Sequence, residues 1–247
     1  MPRMARTKSI TGYMHIIVRG IGRQILFEET RDYERYLDKL EQYCLETDVK
    51  VCAYCLMENH VHLLVNGELA SIILLMKKLG VSYSGYYNRK YDRIGHLFQD
   101  RYRSEPVEEE RYLLTVFRYI LQNPQKAAIS AVSDYPWSSY RCYEEPPDFM
   151  DLSVIRGLLG DRRQFERFIN SESQDSCLEY AEIKHDDEWA KQELINCLGI
   201  PEGMKLQSAG KKERTEALIK LKKCGLTIRQ IERLTGIGRN IVQKAGN

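Results

Sequence analysis

The chain lacks most of the features that sort a sequence quickly. No apolar run approaches the ~20 residues a membrane-spanning helix needs, and this argues against a helical membrane protein. The N-terminal stretch MPRMARTKSITGYMHII is basic but has no apolar core of signal-peptide length. No Walker-type phosphate loop is present, so any phosphoryl chemistry has to run without one. The seven cysteines are odd in number and scattered, a pattern that predicts free thiols in a reducing compartment rather than a disulfide framework. CAYC, residues 52–55, has C-x-x-C spacing, but on a strand Cys52 and Cys55 point to opposite faces and read as core residues. Histidine is scarce, with five in 247 residues. These absences predict a soluble, cytoplasmic protein with no membrane partner, and they make any clustering of histidine informative.

The net charge of +2 says little, but its distribution says more. Residues 144–200 hold fourteen Asp and Glu against six Lys and Arg, a balance of −8. Residues 211–247 hold ten Lys and Arg against three Glu, a balance of +7. A basic tail after an acidic middle suggests a separate module facing a polyanion, although a solvated basic helix would show the same count.

Hydrophobic periodicity orders the first half. YMHIIVRG (13–20) is a short apolar strand, and ETRDYERYLDKLEQYCLET (29–47) carries apolar residues at helical spacing, with Thr30 as its N-cap. VKVCAYCLM (49–57) is apolar on both faces and reads as a central strand. In HVHLLVN (60–66), Val61, Leu63 and Val65 alternate with His60, His62 and Leu64. Only Glu58 and Asn59 separate these two strands, which predicts a hairpin. A long helix over 68–91, a strand over 101–108 and an amphipathic helix over 108–123 follow, the last ending before Pro124. The order β-α-β-β-α-β plus a helix predicts an α+β fold with a ferredoxin-like split βαβ antiparallel sheet. Residues 1–143 form this domain, 144–204 an acidic helical linker, and 205–247 a small basic helix-turn-helix domain with helices in TIRQIERL and RNIVQKA.

MENHVHLLVNG, residues 57–67, puts two of the five histidines one residue apart. On a strand, positions i and i+2 share a face, so His60 and His62 project side by side within reach of one metal ion. Taken alone, H-x-H fits a solvated or hydrogen-bonded pair better than a metal site. The helix over 108–123 adds Tyr119 and, four residues on and therefore on the same face, Asn123, whose amide oxygen suits a metal.

Several stretches together, YMHIIVRG, AYCLMENHVHLLV, GYYNRKYDRIGHLFQDRYRS, YLLTVFRYILQNPQKA and YPWSSY, resemble the single-tyrosine HUH transposases of insertion sequences. They look closest to the REP-associated tyrosine transposase branch, over roughly residues 8–143. The resemblance implies a ferredoxin-like domain, a Mg²⁺ or Mn²⁺ ion and single-stranded DNA hairpins as substrate. It makes His60 and His62 metal ligands and Tyr119 the nucleophile of a strand transferase that forms a 5′-phosphotyrosine. Asn123 stands where the family often has glutamine, which leaves the third ligand open between Asn123 and Gln122. Tyr112, seven residues before Tyr119, is the next tyrosine to consider.

Arg89, Lys90, Arg93, Arg101 and Arg103 interleave with Tyr91, Phe98 and Tyr102, a pattern suited to phosphates and splayed bases. The bland reading is a loop whose aromatics plug the core, a role that suits Leu97 and Phe98. Trp137 reads as a packing anchor. In the tail, Arg239, Asn240, Gln243 and Lys244 would face duplex DNA from a recognition helix. The expected localisation is nucleoid-associated, with monomer and homodimer both open. The competing expectation is a catalytically inert, sequence-specific DNA-binding protein derived from a transposase.

Overall fold

The computed structural model describes residues 7–171, 177–178, 187–200, 203–224, 226 and 228–245. The chain divides into two compact units, residues 1–180 and 181–247. No described helix is long and apolar enough to cross a membrane.

The first unit is built on strands β1 (Tyr13–Arg19), β2 (Lys50–Met57), β3 (His60–Asn66) and β4 (Arg103–Pro106). Their order across the sheet is β2-β3-β1-β4, with every pair antiparallel. Helices α1 (Thr30–Thr47) and α2 (Leu69–Lys90) complete the β-α-β-β-α-β order, and α3 (Glu110–Lys126) follows β4. This is the ferredoxin-like split βαβ arrangement. Tyr36 of α1 and Met76 of α2 line one cavity with Val18 of β1, so these helices cover the face that carries Val18. Alternation along β1 sends His15 and Ile17 to the opposite face, where α3 packs.

Three expectations about β2, α3 and α1 are corrected. The β2 strand lies at an edge of the sheet, not at its centre. It is buried on both faces because α1 and α3 pack against it, and the chain from Trp137 to Asp151 covers the open edge: Leu56 N–H donates to Trp137 O, Val51 N–H to Phe149 O and Asp151 N–H to Val51 O. A covered edge removes the unpaired ladder that would otherwise invite association. Helix α3 runs through Pro124 to Lys126. Proline there forfeits one hydrogen bond to Ile120 O, but Ile120, Leu121 and Pro124 are all buried, and packing overrides the local preference. The N-cap of α1 is Glu29 rather than Thr30, with the Glu29 amide donating to Asp32.

The acidic stretch is not a spacer. Helices α4 (Ser153–Leu159) and α5 (Arg162–Ile169) place Ile155, Phe165 and Ile169 in the first core. Phe165 stacks on Tyr143 with centroids 4.0 Å apart. Trp137 is the expected anchor, stacked on Tyr33 at 4.4 Å, which in turn stacks on Phe27 at 4.4 Å. Each such pair adds about 0.5–1.5 kcal/mol beyond area burial.

The second unit contains α6 (Asp187–Leu198), α7 (Lys211–Lys223), α8 (Ile228–Thr235) and α9 (Arg239–Lys244). Its core includes Ala190, Leu194, Leu218, Leu221, Ile231 and Val242. Thus α6, which composition had put in the linker, belongs to this core. Gly236 closes α8 with φ +65°, a conformation that glycine adopts without strain. Cys197 and Cys224 form a disulfide, which corrects the expectation of free thiols throughout; Cys44, Cys52, Cys55, Cys142 and Cys177 are free. Cys52 and Cys55 are buried in β2, in keeping with a core role, and burial pushes both thiols up.

Candidate active site

Strand register assembles the site. On β3, His60 and His62 share a face, and Ile17 of β1 stands directly across from His62. His15, two residues before Ile17, projects to the same side. The three rings meet there: His60 and His62 have centroids 5.0 Å apart, His15 and His62 5.6 Å. The α3 helix lays Tyr119 edge-on against them, 5.6 Å from His62 and 6.0 Å from His15. His15, His62 and Tyr119 are 0%, 3% and 4% exposed, while His60 is half-buried at the rim. Lys126, two turns beyond Tyr119, sets its ammonium 4.5 Å from the Tyr119 ring centre.

Each histidine of the pair has Nδ1 engaged. His60 Nδ1 lies 2.8 Å from Asn59 Oδ1, and His62 Nδ1 lies 3.3 Å from His15 Nε2. The ligating atom of each would therefore be Nε2. Burial, together with the His60 and His15 imidazoles, holds His62 well below the usual histidine value. Its ring is then neutral near pH 7, the state a metal requires. Asn123 follows Tyr119 by one turn and is anchored by its own amide, Nδ2 donating to Tyr119 O at 2.9 Å. That leaves Oδ1 as the atom able to ligate. Gln122, the other candidate, is held the same way: its Nε2 donates to Ile169 O at 2.6 Å and Ser171 O at 3.2 Å, at the end of α5, and its Oε1 is likewise the atom able to ligate. Two imidazole nitrogens and an amide oxygen form a donor set suited to a divalent ion.

The sequence reading missed His15 and Glu105. Glu105 of β4 stands directly across from His15. Its Oε1 receives His15 Nδ1 at 2.9 Å, the Tyr112 hydroxyl at 2.8 Å and the Leu178 amide at 3.0 Å. Burial works against the Glu105 charge, but the bonds from His15, Leu178 and Tyr112 prevail and hold it below the usual carboxylate range. The signal was present in the sequence as a histidine and a glutamate on two strands, but only the register brings them together. Tyr112, the rival nucleophile, spends its hydroxyl on Glu105, and burial and that bond raise its pKa.

The basic strip divides. Arg103 is exposed and stands across from Ile17, on the same face as His62. Arg101 is exposed in the preceding loop. It lines the cavity of about 590 Å³ with Val18, Phe98 and His96, on the face away from His15, His60 and His62. Arg89 is exposed near the end of α2, and Arg93 binds Asn88 and lies over Tyr87. Lys90 does not fit its assignment as a DNA contact. Its ammonium is 2.6 Å from Asp32 and 2.5 Å from Glu29, so its charge is used between α1 and α2. Leu97 is buried as expected, Phe98 is half-buried, and Tyr91 binds Asp32. In the second unit, Arg239, Asn240, Gln243 and Lys244 are all exposed on α9, while Val242 faces the core.

Two solved structures are similar to parts of this chain. One that resembles the chain is a REP-associated tyrosine transposase bound to a REP hairpin, at 16% identity and a TM-score of 0.48, covering 62% of this chain and 96% of that one. Another is a candidate transposase from Deinococcus radiodurans R1, at 18% identity and a TM-score of 0.34, covering 49% of this chain and 94% of that one. No curated protein matches. Residues 8–123, which span all four strands, α1, α2, most of α3 and the histidine–tyrosine cluster, match the family model described as "Transposase IS200 like". Over that stretch the chain is similar to the transposases of the IS200-like family.

Proposed function

We propose that the first unit cuts and rejoins single-stranded DNA beside hairpins through a covalent tyrosine intermediate. The observation that carries this reading is the Tyr119 ring lying against His62, 5.6 Å away on one sheet face. In cleavage, Tyr119 Oη attacks the scissile phosphorus. The new Oη–P bond replaces the P–O3′ bond, the phenol loses its proton, and the departing strand leaves with a 3′-OH. The 5′-phosphotyrosine keeps the ester, so a second 3′-OH can reverse the step with no nucleotide cofactor. His60, His62 and Asn123 would hold a Mg²⁺ or Mn²⁺ ion. When bound, that ion supplies a Lewis acid and template at the scissile phosphate. Lys126 places positive charge on the ring whose oxygen becomes negative during attack. Arg103, exposed on the same face, is suited to the DNA backbone.

The test is a denaturing gel of the full chain with labelled single-stranded hairpins drawn from repeats flanking the gene, with Mn²⁺ or Mg²⁺. A covalent protein–DNA band is expected, and EDTA removes it. His60→Ala and His62→Ala each lower the cleavage rate about 10²–10³-fold, the several kcal/mol of charge stabilisation a metal provides. Protein that binds the hairpins yet gives no band with any of them would favour the inert DNA-binding reading.

We further propose that α8 and α9 act as a helix-turn-helix reader of duplex DNA. The exposed Arg239, Asn240, Gln243 and Lys244 on one short helix support this reading. The double variant Arg239→Ala/Lys244→Ala is expected to weaken duplex binding across sequences. It should lower the slope of log K against log salt by about two, one for each phosphate no longer neutralised. Cleavage of single-stranded substrate should stay within about twofold. Unchanged duplex affinity in a salt series would remove α9 from the interface.

A further inference from the structure

The site contains a buried hydrogen-bond chain that starts at Glu105 and ends at His62. Its direction can be worked out from the donors. Glu105 Oε1 accepts from the Leu178 backbone N–H and from the Tyr112 hydroxyl, at 3.0 and 2.8 Å. An ionised carboxylate has acceptors only. The third partner on that oxygen, His15 Nδ1 at 2.9 Å, is therefore also a donor and carries its proton. A neutral imidazole protonated at Nδ1 has its lone pair on Nε2. His15 Nε2 lies 3.3 Å from His62 Nδ1; with His15 neutral, the proton between them sits on His62. His62 is then protonated at Nδ1 and bare at Nε2. Solvent has little access to the chain, since His15 is 0% and His62 3% exposed.

We propose that Glu105 and His15 are positioning residues that lock His62 in its Nδ1–H tautomer, so that Nε2 is the atom offered to the metal. Neither touches the metal or the DNA. This purpose rests on the reading of His62 as a ligand. Asn59 serves His60 in the same way by a shorter route, with its Oδ1 2.8 Å from His60 Nδ1. Ligating histidines commonly hold their second nitrogen against a carboxylate or carbonyl, and loss of such a partner costs about 10–100-fold in metal affinity. Here the carboxylate acts one imidazole further away.

The experiment uses the metal-free full chain with ¹⁵N-labelled histidine. Long-range proton–nitrogen correlation spectra distinguish a protonated ring nitrogen from a bare one. Wild type is expected to show His62 with protonated Nδ1 and bare Nε2, and His15 with the same pattern. His15→Phe removes the acceptor, so the His62 signals should move to a mixture of tautomers. Mn²⁺ affinity, read by calorimetric titration, should fall about 10–100-fold. His15→Gln restores an acceptor oxygen and should recover much of both. An Nε2–H tautomer of His62 in wild type, or a His15 protonated at both nitrogens, would overturn the proposal, and this measurement needs no variant to fold. The proposal also fails if the His62 tautomer is the same in His15→Phe as in wild type. If the tautomer is as expected but wild type binds no Mn²⁺, the lock stands and the ligand reading falls, so the two failures are separable.

Discussion

Replacing Tyr119 with phenylalanine should abolish the covalent protein–DNA species and slow strand cleavage by at least about 10³-fold, because no other group takes over the nucleophile's bond to phosphorus. The substitution keeps the ring. Its edge-on packing against His62 at 5.6 Å and His15 at 6.0 Å survives, as does the Lys126 ammonium at 4.5 Å. Folding and hairpin binding should therefore change little, and the effect should fall on the chemical step. Tyr112 is the informative control. Its hydroxyl is donated to Glu105 at 2.8 Å, and burial and that bond push its pKa up, which makes it a poorer phenolate source. A covalent band that persists in Tyr119→Phe and disappears in Tyr112→Phe would reassign the nucleophile. Glu105 would then become its proton acceptor rather than the anchor of His15. Denaturing gels and single-turnover rates on the same hairpin substrate distinguish these outcomes.

Much of this arrangement was written locally in the chain. Two-residue alternation in HVHLLVN put His60 and His62 on one face, and four-residue spacing put Tyr119 and Asn123 on one turn, because both are properties of a single element. What the chain did not announce depends on pairing between elements. His15 meets Glu105 only because β1 lies between β3 and β4 in one particular register. Lys90 looked like one more cation in a basic strip, yet its partners, Glu29 and Asp32, lie some sixty residues earlier in the chain. The double-sided burial of β2 was legible, but its cause was not. Helices packed on both faces hide the side chains of an edge strand as well as those of a central one. The acidic count over 144–200 likewise masked Phe165 and Ile169, two apolar residues one turn apart that pin α5 to the first core. In the tail, periodicity located α8 and α9 well, since short amphipathic helices carry their pattern internally.

Removing Asp32 should cost the first unit about 3–5 kcal/mol, the range for stripping one partner from a buried charged network. Asp32 is 0% exposed and collects five donors: Lys90 at 2.6 Å, the hydroxyls of Tyr91 at 2.6 Å and Tyr86 at 2.9 Å, and the amides of Glu28 at 2.9 Å and Glu29 at 3.1 Å. In Asp32→Ala the tyrosines and both amides lose their acceptor together. Lys90 keeps Glu29 and some access to water, its side chain being 24% exposed, so its own share of the penalty is moderate. Burial opposes the Asp32 charge, but Lys90, Tyr91, Tyr86 and the Glu29 amide outweigh it and hold the carboxyl below the ordinary value of 3.8. A carboxyl depressed by folding contributes stability that is complete above its unfolded pKa and lost as pH falls through the folded one. The gap between wild type and Asp32→Asn should thus be constant from neutral pH to about pH 5 and close progressively below about pH 4. Urea unfolding followed by the fluorescence of Trp137, in a Trp189→Phe background, reads the first unit alone. A gap under about 1 kcal/mol at pH 7 would mean that water replaces these bonds, and that the network joining α1 to α2 stabilises the fold no more than an exposed ion pair does.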